Sequence, residues 1–314
     1  MPVSGAQCPA PPLIRPALPG TFSRKREKGA PVGPGTNAHL DLSTGMLRTL
    51  SQLQTITLEL AADTLFCLRF YSRLPIPLLS FEAQTPEMGA FRRAVRMLPI
   101  AGALIGAVAA AVLLIGHALG LPPAVVAVGV VAVQLRLTGG LHEDGLADTL
   151  DGLGGGEDRE RKLAIMKDSR IGTYGAAGLM LALLMRTAAL AALLTGLGAG
   201  FAAAALVAAA AVSRVAGLLP LMVLPPARAS GLGQAAGRPS TTNFAVAAGL
   251  ACAIALALGW KGILGCAFAA AAVVYIVHLG HRHLGGQTGD LAGAAQQFAE
   301  IAFLVALLIH PPLG

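Results

Sequence analysis

Half of the chain's 16 acidic residues fall between positions 143 and 168. The densest group is the run HEDGLADTLDG at 142 to 152, directly after a long hydrocarbon stretch. If the helix of that stretch continues past Gly140, Asp144, Asp148 and Asp151 stand at i, i+4 and i+7 on one face, with Glu143 to the side. Crowded like charges raise the cost of ionising each carboxyl, and a bound divalent cation removes that cost. Oxygen-only ligands favour Mg²⁺ or Mn²⁺ over zinc, and Mg²⁺ ordinarily brings substrate phosphates with it. Spacing therefore makes Asp144, Asp148 and Asp151 the expected face of a Mg²⁺ or Mn²⁺ site, with Glu143 beside them. The competing reading is a solvated acidic helix end; no basic residue stands four positions after any of these aspartates to support it. His142 reads as a packing or hydrogen-bonding residue and is left out of the metal set.

Further polar residues follow. Lys167, Asp168, Ser169 and Arg170 crowd beside Gly172 and Gly175. Lys167 and Arg170 have the chemistry of a phosphate clamp, while Asp168 suits the metal or a nucleophile. Gly154 to Gly156 suggest an anion-binding backbone nest, a weak signal taken alone. The stretch 159 to 166 reads as a surface helix with mixed charges. In GGQTGD, Asp290 is equally a helix N-cap or a catalytic carboxylate.

These groups need elements to hold them, and composition says which. The chain has 314 residues, 55% hydrophobic and 12% charged, where a soluble domain carries about 25% charged. Met97 to Leu135 lacks Asp, Glu, Lys and Arg altogether, enough for two spans of about 20 residues each. With apolar runs near 176–197, 201–224, 244–258, 263–279 and 301–308, the expected fold is all-α. It is a polytopic transmembrane helical bundle of about seven spans with an acidic active site on its cytoplasmic face. Residues 47 to 72 read as an amphipathic interfacial helix stopped by Pro75 and Pro77. Residues 1 to 46 are Pro- and Gly-rich and read as a disordered extension preceding a catalytic domain at 47–314.

Arg92, Arg93 and Arg96 precede the first span and place that end in the cytoplasm by the positive-inside tendency. Successive hairpins then deliver three polar segments, 139–175, 225–242 and 281–290, to the same face. The net charge of +7 is scattered over the tail and short loops, which argues against a nucleic-acid partner. Cys8, Cys67, Cys252 and Cys266 show no metal spacing and no disulfide framework.

Several stretches together carry a resemblance. LRFYSRLPIP, LPIAGALIGA, GGLHEDGLADTLDG, RERKLAIMKDSRIGTYG and GGQTGDLAGAAQQFAEIAFL resemble, in that order and from about Leu65 to Leu308, the cobalamin synthase family. Gln297 departs from the carboxylate usual there. The resemblance implies a Mg²⁺-dependent transferase of the bacterial inner membrane. Its substrates would be adenosylcobinamide-GDP and α-ribazole or α-ribazole 5′-phosphate, and its products adenosylcobalamin or its 5′-phosphate and GMP. On that basis Asp144, Asp148 and Asp151, with Glu143 assisting, are expected on Mg²⁺ and the diphosphate. Lys167 and Arg170 are expected on the leaving group, and Asp168 or Asp290 on the nucleophile's proton. A CDP-alcohol phosphotransferase is the nearest enzyme rival, but its DGxxAR pattern is broken here by Asp148 after Ala147. A transporter would place ionisable groups along its spans, where this sequence has few beyond Arg186 and Arg214.

Overall fold

The computed structural model describes residues 38–82, 88–229, 231, 234 and 237–309. The chain divides into two units, Met1–Leu50 and Ser51–Gly314. Of the expected N-terminal extension, residues 1–37 lie outside the described residues. Among the described residues every regular element is a helix, and the one β contact is an isolated bridge between Pro226 and Gln287.

The helices are α1 (Ala38–Tyr71), α2 (Met88–Ala94), α3 (Leu98–Ala118), α4 (Pro123–Thr138), α5 (Leu141–Gly155) and α6 (Arg159–Ile165). Then come α7 (Thr173–Leu197), α8 (Ala199–Ala216), α9 (Leu219–Val223), α10 (Thr241–Leu256), α11 (Trp260–Leu279) and α12 (Gly289–Ala306). Proline opens α3 and α4 in their first turns, where its missing N–H costs no helical bond. Each of the seven expected spans contains a helix, but fewer are long enough to cross a membrane. Four are long and apolar enough: Ala90–Ala118, Thr173–Leu197, Ala199–Val223 and Trp260–Leu284. A fifth arises only if α4 and α5, bent by 92° where they meet, are joined. The shortfall has a plain cause. α4 and α10 are 16 residues each, and α12 carries Asp290 and Glu300.

α8 is the central helix, and alanines at 202, 203, 205 and 208 to 211 are buried along it. Its small side chains let α3 approach so closely that a Cβ on Gly102 would stand 2.6 Å from the carbonyl oxygen of Ala210, the small-residue packing typical of membrane helices. α7 and α11 are peripheral and expose Met180, Leu181, Leu184, Ile263, Phe268 and Val274. Apolar side chains turned outward from long helices suit lipid.

The middle of the bundle is polar. Arg186 of α7 is 2% exposed; its Nη1 donates to Glu143 Oε1 at 2.7 Å and to Gln297 Oε1 at 3.2 Å. Its Nη2 donates to Gln134 Oε1 at 3.0 Å and pairs with Glu300 at 3.1 Å. Gln296 Nε2 donates to the other Glu300 oxygen at 2.7 Å and to Ser213 at 2.9 Å. Five helices, α4, α5, α7, α8 and α12, are thereby linked through buried groups that have no water to turn to. Removing the cation leaves two buried carboxylates without their counter-charge, which costs roughly 3–5 kcal/mol. Arg186→Met is therefore expected to lower the unfolding midpoint of the detergent-solubilised protein sharply. An unchanged midpoint would show that the network holds nothing together.

Candidate active site

The helix of α4 does not run on into the acidic segment. Gly139 and Gly140 have φ of 68° and 73°, left-handed values that side-chain-bearing residues rarely adopt. Two in succession end α4 and let the chain restart as α5 at a steep angle. The i, i+4, i+7 spacing survives, on a helix that lies outside the four spanning segments.

α12 supplies the facing wall. Its N-cap is Thr288, whose hydroxyl accepts from the Leu291 N–H at 3.0 Å, so Asp290 is not needed as a cap. α5 and α12 cross where neither has a side chain. A Cβ on Gly145 would lie 2.8 Å from the Asp290 carbonyl oxygen, and one on Gly293 would lie 3.3 Å from Gly145 Cα. This contact brings Asp290 to the edge of α5 that carries Asp144 and Asp148. Burial, followed by the charges of Asp144, Asp290 and Asp151, pushes the Asp148 carboxyl up to about 6, with Arg228 opposing. Burial likewise raises Asp290, against Arg228, which pairs with it at 3.2 Å.

The expected metal set is only partly assembled at this rim. Glu143 points into the bundle, 4% exposed, and holds Arg186. Asp151 is 7% exposed and accepts the Gly172 N–H at 2.7 Å and the Gly175 N–H at 2.8 Å, anchoring the start of α7. Lys167 is exposed. Asp168 and Arg170 pair with each other at 2.6 Å on the surface, and the guanidinium holds the Asp168 carboxyl down to about 2. Asp144, Asp148 and Asp290 are thus brought together, while Asp168, Lys167 and Arg170 sit on the loop before α7. Gly154 and Gly155 are helical residues of α5 and form no nest. His142 is buried and stacks on Tyr71, rings 5.7 Å apart and 3° from parallel.

The three polar segments do meet. Arg159 Nε donates to Leu284 O at 2.8 Å, and its Nη2 donates to Ala227 O at 2.9 Å. Arg228 Nη2 donates to Leu163 O at 3.1 Å while Nη1 reaches Asp290. Pro225 and Ala227 exchange backbone bonds with Gln287 at 2.8 and 2.9 Å. Sequence reasoning missed Arg228 and read Arg159 as an ordinary surface cation. Nothing in their local spacing marks them, because each acts across more than 60 residues of sequence.

Among the described residues no three His, Cys, Asp or Glu side chains form a ready-made metal site. The donor set fits Mg²⁺ in another way, since that ion keeps waters and binds through one or two carboxylates plus substrate phosphates. Asp144 and Asp148, one turn apart, can supply those carboxylates.

Residues 63–308 match a family model described as cobalamin-5-phosphate synthase. The chain belongs to the cobalamin-5-phosphate synthase family. A relative from Xanthobacter autotrophicus is 48% identical over 264 residues, covering 81% of this chain and 98% of its own. One from Azorhizobium caulinodans is 46% identical over 260 residues, covering 80% and 97%. A third, from Rhizobium etli, is 45% identical over 255 residues, covering 79% and 97%. All three are named adenosylcobinamide-GDP ribazoletransferase. No solved structure matches the chain. The synthase-family match takes in the end of α1 and every later helix, so the acidic rim and the arginines that tie its loops lie wholly inside it.

The contrast between Asp151 and Asp148 is measurable. A charged acceptor of a backbone N–H contributes roughly 1.5–3 kcal/mol per bond, and Asp151 accepts one such bond in the interior, from Gly175, and one that is half-buried, from Gly172. Asp151→Ala is therefore expected to destabilise the protein whether or not Mg²⁺ is present. Asp148 has the reverse sign. Its folded pKa stands above the ordinary 3.8, so the folded state holds this proton more tightly than the unfolded chain. Its contribution to stability falls as pH rises from about 4 to about 6. At neutral pH without divalent ions, Asp148→Asn should melt no lower than the wild type. A clear loss of stability there would remove the case for repulsion at the rim.

Proposed function

We propose that this chain transfers the adenosylcobinamide phosphate unit of adenosylcobinamide-GDP to α-ribazole, giving adenosylcobalamin and GMP. The same site accepts α-ribazole 5′-phosphate, giving adenosylcobalamin 5′-phosphate. The observation that carries this reading is a rim of three crowded carboxylates, Asp144, Asp148 and Asp290, inside a segment that matches relatives named for this reaction.

A ribose hydroxyl of the nucleoside attacks the cobinamide-side phosphorus of the diphosphate, and the bond from that phosphorus to the oxygen of GMP breaks. Asp290 accepts the hydroxyl proton, since a carboxylate raised by burial is a stronger base than one held down by an arginine, as Asp168 is. Arg228 stands beside Asp290 and neutralises charge on the phosphates, and Lys167 and Arg170 do so on the departing GMP. Asp144 and Asp148 would hold Mg²⁺, which when bound would supply charge neutralisation at the diphosphate. Glu143 and Asp151 fix the helix that carries them. The lipid is the bacterial inner membrane and the rim faces the cytoplasm, a reading supported by Arg92, Arg93 and Arg96 at the start of the first span. Asp63 offsets part of that charge by bonding Arg93 and Arg96 at 3.1 and 2.8 Å.

The test is GMP release by purified protein in detergent, supplied with both substrates and Mg²⁺. Asp148→Asn is expected to lose at least about 100-fold in turnover, the scale of one lost electrostatic contact to a transition state, while remaining folded. With wild-type protein at limiting Mg²⁺, the rate should fall as pH drops through about 6, where Asp148 takes up its proton. Mg²⁺-dependent turnover of Asp148→Asn at the wild-type rate would refute the metal assignment.

A further inference from the structure

A cavity of about 130 Å³ lies behind the carboxylates, between the ends of α1, α2 and α5 and the helices α8 and α12. Its inner wall is aromatic. Phe70 packs 4.8 Å from Tyr71 and 5.3 Å from Phe91, ring centre to ring centre, and Tyr71 stacks on His142. In a chain with 10 Phe, 3 Tyr and 1 Trp, such a concentration beside a polar rim is unusual. Arg214 also lines the cavity. It is 3% exposed, its Nη1 donates to the Ala210 carbonyl, and its Nε has no partner. The mouth is polar, because Asp144 is the one exposed residue of the lining and Asp290, half-buried, also lines it.

We propose that this aromatic cavity seats the base of the nucleoside substrate, with the ribose at the mouth and its hydroxyl presented to Asp290. The inference rests on the reaction proposed above and names the part of the site that selects the acceptor. The base of α-ribazole is a dimethylbenzimidazole, a flat and largely apolar bicycle with one unsubstituted ring nitrogen that only accepts. Flat aromatic ligands stack on such rings, and the opening at the mouth leaves the ribose outside the cavity. Leu218 and Leu221 offer apolar contact for the methyl groups. Arg214 has a donor to spare for the ring nitrogen.

The guanine of the other substrate is also a flat bicycle, and the cavity is poorly made for it. Guanine presents an N–H and an amino group that need acceptors. The one amide that lines the inner cavity, Gln296, is committed: its Nε2 donates to Ser213 and Glu300, and its Oε1 accepts from Gln297 at 2.9 Å. The side-chain carboxylates of the lining, Asp144 and Asp290, are at the mouth. Guanine's three donor hydrogens would have only the Tyr71 hydroxyl and a ring nitrogen of His142 as uncommitted side-chain acceptors in the inner cavity, whereas a dimethylbenzimidazole needs a single donor.

The experiment uses the full chain in detergent. Calorimetry measures α-ribazole binding and GMP binding separately, and steady-state assays give KM for each substrate. Phe91→Leu is expected to weaken α-ribazole binding and raise its KM by about tenfold, the size of one lost base–aromatic stack, with the KM for adenosylcobinamide-GDP unmoved. Phe70→Leu, at a less buried position, should do the same and stands in if Phe91→Leu does not fold. Arg214→Met should erase the preference for α-ribazole over an analogue with carbon in place of the free ring nitrogen. A rise confined to adenosylcobinamide-GDP, or weaker GMP binding, would overturn the proposal in favour of the other substrate. Unchanged constants in folded variants would overturn it in favour of simple packing. If the wild type binds α-ribazole through these residues yet releases no GMP, the reaction assigned above fails and the cavity assignment stands.

Discussion

The guanidinium of Arg186, buried in the bundle, fixes the azimuth of the helix that carries the rim carboxylates. Arg186 can be ionised so far from water only because Glu143 and Glu300 meet it from α5 and α12, with Gln134 and Gln297 completing its bonds. Each partner is then constrained in turn. With Glu143 directed inward, a helix of 3.6 residues per turn places Asp144, Asp148 and Asp151 together, roughly 100° around from it. The azimuth of α5 is therefore set from inside the bundle. The rim carboxylates point where they do because rotating them elsewhere would break the buried ion pairs.

Azimuth alone does not create a site; the facing wall has to come close. Two glycine features provide that. The left-handed pair Gly139–Gly140 turns α5 off the line of α4, and the bare surfaces at Gly145 and Gly293 let α12 touch α5 backbone to backbone. Asp290 arrives as a result of that contact. Arg228 and Arg159 then close the space between loops with bonds to main-chain carbonyls, which hold loop backbones at fixed separations.

The all-helical class, the positions of the apolar helices and the meeting of three polar loops on one face were legible in the sequence, because hydrophobic runs and short connections constrain them strongly. Length criteria were harder to read, since α4 and α10 are apolar enough to resemble spans yet stop at 16 residues. Periodicity put Asp144, Asp148 and Asp151 on one stripe, and they do share it. It could not say that Asp151 is occupied by the N–H groups of Gly172 and Gly175, or that Glu143 belongs to Arg186. Those partners lie more than 20 and 40 residues away, and only folding reveals them. The aromatic wall was invisible for the same reason, its rings coming from three separate helices.

The stripe therefore contains two kinds of carboxylate with opposite physical characters. Asp151 is satisfied: its bonds are made within the protein, and a cation would have to compete with two backbone donors for its oxygens. Asp148 is unsatisfied: its nearest charges are of its own sign, and burial denies it part of the water that would screen them. On the function proposed for it, the site would capture a cation together with a diphosphate and would gain from the second kind. Repulsion among Asp144, Asp148 and Asp290 makes the unliganded rim less stable than a neutral one, and the arriving charge relieves a cost already present in the fold. The buried network around Arg186 and the bonds of Asp151 are what allow a bundle of this size to carry that cost at its edge.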